Sequence, residues 1–141
     1  MGETVTFFDT NVLVYSTVNL DKVKQEASDR LIEAAIKEKA FTISTLVLSE
    51  FIYVLAKLKI DNHLVERAIS LYKPFVEHAI EPSIVFAAYE LCKKLGAGKN
   101  INDAIHLKFA EIHCTKLVTF DKDFKKFKDS TDIVIDLLKA E

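Results

Sequence analysis

Val5-Thr6-Phe7-Phe8-Asp9-Thr10-Asn11 decides the fold. Four residues with strand-like side chains run straight into an aspartate, and a second apolar run, Val12-Leu13-Val14-Tyr15, follows at once. A short apolar run without polar alternation reads as a strand buried on both faces of a parallel sheet. Asp9 then stands at the carboxyl end of that strand, where α/β folds place their ligands.

Working outward, a short helix is predicted over Asn11 to Thr17 and a second over Lys22 to Lys39, its inward face marked by Val23, Ala27, Leu31, Ala34 and Ala35. Ala40 to Ile43 reads as the second strand, with Ser44 or Thr45 capping the next helix. That helix, Leu46 to Leu58, is apolar around most of its circumference and is expected to be largely buried. A further helix opens at Asp61-Asn62 and stops before Pro74, and Val76 to Ile80 reads as a short strand. Glu81-Pro82-Ser83 begins a helix that ends at Gly96. After a loop over Ala97 to Ile101, Asn100 or Asn102 caps a helix from Asp103 to His113. Lys116 to Phe120 is a buried-type strand ending at Asp121, followed by a short helix over Asp123 to Phe127 and an edge strand at Ile133 to Ile135. Strands alternating with helices imply an α/β fold with a parallel sheet covered on both faces.

At 141 residues and 50% hydrophobic, the chain fits one domain, residues 1–141, with a substantial core. Three glycines and two prolines leave little room for a long linker. The net charge of −2 does not advertise nucleic-acid binding, so such a function needs local lysine clusters. Cys92 and Cys114 have neither metal-like spacing nor a redox motif and fit the thiols of a reducing compartment. The N-terminus shows no signal core, and no apolar run approaches the roughly 18 residues of a membrane span. A soluble, cytoplasmic protein is expected.

Asp9, Asp103 and Asp121 each fall at a predicted helix start, where aspartate is favoured as a cap or as a charge facing the helix dipole. Glu50 has no such role. It lies mid-helix, and the residues sharing its face, Leu46, Val47, Tyr53 and Val54, are apolar. An ionised carboxylate buried there needs a compensating partner; a salt bridge to a lysine is the plainer one. The four acids together suggest another. Strand carboxyl ends lie along one edge of a parallel sheet, so these groups can converge, and converging carboxylates repel unless a cation sits among them. Oxygen-only ligands suit Mg²⁺ or Mn²⁺, which polarise a phosphoryl group and activate water for in-line displacement.

Four segments carry a family resemblance: Phe8-Asp9-Thr10-Asn11-Val12-Leu13, Ser49-Glu50-Phe51, Asn102-Asp103-Ala104-Ile105-His106, and Leu117 to Phe124. In their order and spacing the chain resembles PIN-domain ribonucleases, and among them the VapC-like toxins of toxin–antitoxin pairs. The resemblance implies a three-layer α/β/α sandwich with a central parallel sheet, metal-dependent endoribonuclease activity, frequent homodimers and an antitoxin partner. It places Asp9, Glu50 and Asp103 at the family's three acidic metal-site positions and Asp121 at a more variable fourth. Asp123 is the fallback for that fourth position, although a charge at a helix N-terminus is its plainer explanation. Asn11 and Thr119 match polar positions that support the acids.

Lys93, Lys94 and Lys99, and Lys122, Lys125, Lys126 and Lys128, flank the acidic segments and suit an RNA backbone or, more plainly, a solvated face. Gly96-Ala97-Gly98-Lys99-Asn100 lacks the glycine spacing of a phosphate loop. None of the four histidines has metal-motif spacing; His106, one turn after Asp103, could face the site, although a surface or packing role is the plainer reading. The helices from Asp61 to Leu95 carry Leu64, Ile69, Leu71, Phe75, Ile84, Phe86 and Tyr89, mostly as core, with some left for a dimer face or an antitoxin segment. Two other functions stay open: a catalytically silent RNA-binding or assembly module, and a phosphatase with Asp9 as nucleophile, for which Asn11 stands where an acid is wanted.

Overall fold

The computed structural model describes residues 3–139. Its centre is a sheet of short parallel strands in the order β2-β1-β3-β4: β1 (Thr6–Phe8), β2 (Phe41–Thr42), β3 (Lys116–Thr119) and β4 (Val134–Leu137). Thr6 is in register with Phe41 on one side and Lys116 on the other. The Asp9 amide donates to the Val118 carbonyl at 3.0 Å, which ties the end of β1 to the end of β3. Six α-helices complete the three-layer α/β/α sandwich: α1 (Thr10–Thr17), α2 (Lys22–Lys37), α3 (Thr45–Lys57), α4 (Asn62–Tyr72), α5 (Pro82–Leu95) and α6 (Ile101–His113).

Adjacent residues of β1 point to opposite faces of the sheet. Phe7 packs on Phe109 and His106 of α6. Phe8 packs on Phe41, which in turn meets Tyr72 and Phe75. One stretch of three residues thus anchors both helical layers. Helix starts follow the expected chemistry: Asp21, Ser44 and Asp61 accept from backbone N–H groups of α2, α3 and α4. Gly96 closes α5 in the left-handed region, at φ 63°.

Several expectations change. The α2 helix stops at Lys37, because Lys39 turns left-handed at φ 58°, and its inward stripe is Ser28, Ile32 and Ala35. Val23 is 49% exposed. The predicted strand at Val76 to Ile80 reduces to one bridge, Val76 to Ile43, since Glu77, His78 and Ala79 are exposed. Asn100, one of the two candidates, is the N-cap of α6 but makes no side-chain capping bond; a 3-10 turn over Gly98–Asn100 leads straight into the helix, which starts at Ile101 and not at Asp103. The short helix after Asp121 is a longer 3-10 segment, Lys122–Ser130.

The largest correction concerns burial. α3 is buried along the single stripe Val47, Phe51 and Leu55, while Ile52 and Tyr53 are exposed. α4 and α5 bury Ala68, Tyr72, Ile84, Ala88, Leu91 and Cys92, but of the large residues expected mostly as core, Leu64, Leu71, Phe86 and Tyr89 face outward. A helix lying on one side of a sheet can bury only one stripe, whatever its remaining faces carry. Among the described residues no helix is long and apolar enough to cross a membrane. Both cysteines are free thiols, and burial pushes Cys114 up to about 12.

Candidate active site

Asp9 is the N-cap of α1 and is 4% exposed. Its carboxylate is held from every side. Oδ1 accepts the Thr10 amide at 2.8 Å, and Oδ2 accepts the Thr119 hydroxyl at 2.7 Å and Asn11 Nδ2 at 3.1 Å. Asn11 also donates to Thr119 Oγ1 at 3.2 Å and accepts the Phe120 amide through Oδ1 at 3.1 Å. That amide fixes which end of the Asn11 side chain is oxygen. Thr119 Oγ1 accepts the Asp121 amide as well, at 2.9 Å. Three elements are therefore knotted together at the ends of β1 and β3. Burial raises the Asp9 pKa, against the opposing influence of His106, Thr119 and the Thr10 amide.

Glu50 comes in from α3. Its Oε1 accepts the Thr10 hydroxyl at 2.6 Å and meets His106 Nε2 at 2.8 Å, and its Oε2 accepts Asn102 Nδ2 at 3.1 Å. Burial alone would raise its pKa, but the contacts with His106, Thr10 and Asn102 outweigh burial and lower it. The partner anticipated for a mid-helix carboxylate is a histidine, not a lysine. His106 is 1% exposed, so packing is part of its role, yet it also bonds the site. Burial opposes its charge, but Glu50, Asp9 and Asp103 together raise its pKa.

Asp103 stands in the first turn of α6, while Asp121 caps the 3-10 segment by accepting the Asp123 amide at 2.9 Å. Asp103, Asp121 and Asp123 each offer an oxygen within 4.8 Å of the others'. Little holds them apart. Asn100 Nδ2 lies 3.3 Å from both Asp103 Oδ2 and Asp123 Oδ2, and Lys126 Nζ donates to Asn100 Oδ1 at 2.7 Å. Asp103 is raised to about 6, first by burial and then by repulsion from Asp9.

Asp9, Glu50, Asp103 and Asp121 line one open cleft of about 600 Å³, whose other wall carries Tyr15, Leu20, Tyr53, Val54 and Leu58. The acids fall into two groups, Asp9 and Glu50 with His106, and Asp103 and Asp121 with Asp123. Each carboxylate oxygen has two lone pairs. On that count Asp9 Oδ2 and Glu50 Oε1 are filled by their donors, which leaves one lone pair on Asp9 Oδ1 and one on Glu50 Oε2. Hard oxygen donors with unspent lone pairs beside mutually repelling carboxylates fit Mg²⁺ or Mn²⁺. Thr10, Asn100 and Asn102 were not singled out as site residues, and His106 only as one that could face the site. Their signal in the sequence is adjacency alone: Thr10 follows Asp9, Asn102 precedes Asp103, and His106 lies one turn beyond it.

The PIN domain family profile matches residues 6–130. No curated protein matches the chain in sequence. Among solved structures, the chain is similar to one from the crystal structure of VapBC2 from Rickettsia felis bound to a DNA fragment from their promoter. The TM-score is 0.69 at 20% identity, over 96% of this chain and 100% of that one.

Proposed function

The chain belongs to the PIN-domain family, and on that premise we propose that it is a metal-dependent endoribonuclease, the toxin of a toxin–antitoxin pair. One observation carries the reading. Asp9 and Glu50 are each fixed by three hydrogen bonds with a lone pair to spare, and they share a cleft with Asp103, whose pKa burial and Asp9 raise to about 6. Such a cleft is completed by a divalent cation.

Mg²⁺ or Mn²⁺ held by Asp9, Glu50, Asp103 and Asp121 would supply charge for a phosphoryl oxygen and an acidified water for in-line attack. The residues of the chain do the rest. Asn11 and Thr119 fix the Asp9 carboxylate, so it needs no reorganisation when substrate arrives. Asn102 and Thr10 do the same for Glu50. Lys122, Lys125, Lys126 and Lys128 are exposed on the segment that follows Asp121, where they can neutralise phosphates on either side of the scissile one.

The structural neighbour belongs to a complex named VapBC2, and that supports the toxin reading. So does the outward apolar surface of α3, α4 and α5, where Tyr53 is 67% and Phe86 69% exposed. Surface of that kind suits an antitoxin or a second copy of the chain.

The test is incubation of the purified protein with a mixed RNA pool in Mg²⁺ or Mn²⁺ and in EDTA. Metal-dependent internal cleavage is expected. Cleavage that persists in EDTA would overturn the mechanism, and a protein that neither cleaves RNA nor binds Mn²⁺ would point to the silent module.

A further inference from the structure

His106 packs against Phe7 with ring centroids 5.4 Å apart; its Nε2 hydrogen-bonds Glu50 Oε1 at 2.8 Å and lies 3.6 Å from Asp9 Oδ1, beyond hydrogen-bond reach. Its Nδ1 is buried without a partner among the described residues. This fixes the tautomer. A proton on Nδ1 would be a buried orphan donor, and orphan N–H groups are rarer and costlier than under-satisfied acceptors. The neutral ring therefore carries its proton on Nε2 and donates it to Glu50, as the charged ring also does. Nε2 then has no lone pair to offer a metal, although His106, Asp9 and Glu50 each bring a potential ligand atom within 4.8 Å of the others.

We propose that His106 is a positioning residue: its Nε2–H, with the Thr10 hydroxyl, occupies Glu50 Oε1 and leaves Oε2 as the oxygen that Glu50 presents to a divalent cation. The proposal rests on the metal-dependent reading above. Glu50 needs this restraint because it sits on a long, flexible side chain that remains partly exposed. Two donors on one oxygen fix the plane and rotation of the carboxylate, and among the described residues only Asn102 shares the other oxygen. Partners of this kind, one bond removed from the metal, commonly carry 10–100-fold of its affinity.

The test compares three full-length variants by calorimetric titration with Mn²⁺, each with its metal-free melting temperature. His106→Leu keeps the volume and removes the donor. His106→Asn keeps an amide, but one too short to reach Glu50. His106→Gln places an N–H near the position of Nε2. The expected result is a loss of about 10–100-fold in Mn²⁺ affinity for His106→Leu and His106→Asn, with His106→Gln within a few-fold of wild type. The metal-free melting temperatures establish that each variant compared is folded. If His106→Leu does not fold, the Asn and Gln variants still decide. Wild-type affinity in His106→Leu or His106→Asn would overturn the proposal, as would a folded His106→Gln as weak as the Asn variant. A wild-type protein that binds no Mn²⁺ would overturn the nuclease reading and this proposal with it, whereas wild-type binding with indifferent variants would overturn the proposal alone.

Discussion

The two halves of the acidic cleft are built on opposite plans. On one side Asp9 and Glu50 each accept three hydrogen bonds, from donors on α1, α6 and β3. On the other side Asp103, Asp121 and Asp123 crowd within 4.8 Å with one asparagine and one backbone amide between them. The first half is rigid before anything binds. In the second, burial and repulsion, first from Asp9 and then from Asp121, raise the Asp103 pKa, and a cation would relieve that repulsion. On the proposed reading, one half supplies the geometry and the other the charge that a cation would balance.

The largest expected effect comes from breaking the rigid half. Asp9→Asn turns an acceptor into a donor in a shell made only of donors. RNA cleavage should fall by about 10²–10³-fold or more. Because a buried donor loses its partner, the fold should also lose about 1–3 kcal/mol, visible in a urea melt. Thr119→Val is milder. It removes one donor from Asp9 and one acceptor from the Asp121 amide, and a drop of about tenfold or more in cleavage is expected with Mn²⁺ near saturation.

The second half should respond with the opposite sign in stability. The Asp103 carboxyl, raised to about 6 from an ordinary 3.8, keeps its proton in the folded protein over a range where the unfolded chain has lost it. Its stabilising contribution is therefore complete below pH 3.8 and is lost as pH rises through 6. Asp103→Asn should melt a few degrees higher than wild type at pH 7 in EDTA and show little difference near pH 4. A lower melting temperature at pH 7 would remove the repulsion argument. Cleavage by wild type should rise with pH through about 6 at low Mn²⁺, as that proton leaves. The smallest effect is expected for Asp123→Asn, an exposed group whose bond to Asn100 an amide can replace. Cleavage should change by less than about threefold; a loss as large as that of an Asp121→Asn variant would make Asp123 a principal ligand.

Much of this was legible in the chain. The run Val5 to Phe8 ending in Asp9 gave both the central strand and the position of the first acid, because a fully buried strand has no polar alternation. The face of α3 that carries Glu50 was legible from its helical period. Its donors were not, because Thr10, Asn102 and His106 reach it from other elements, and a period within one helix says nothing about what another helix brings. The exposed surface of α3 to α5 was misread for a related reason. Apolar side chains at Tyr53, Phe86 and Tyr89 look like core in a sequence, and only packing shows that no layer among the described residues covers them. In α2 the inward stripe was displaced by one residue, because buried Ser28 does not register as apolar.

The most direct test of the central claim, that the two halves serve one cation, is a calorimetric titration of Mn²⁺ into metal-free protein at pH 7. Wild type would be compared with Glu50→Gln from the rigid half and Asp103→Asn from the repulsive half. The account predicts binding by wild type and a loss of about tenfold or more in each variant. Unchanged affinity in folded Asp103→Asn would contradict it, and would leave the two halves as separate features of the same cleft.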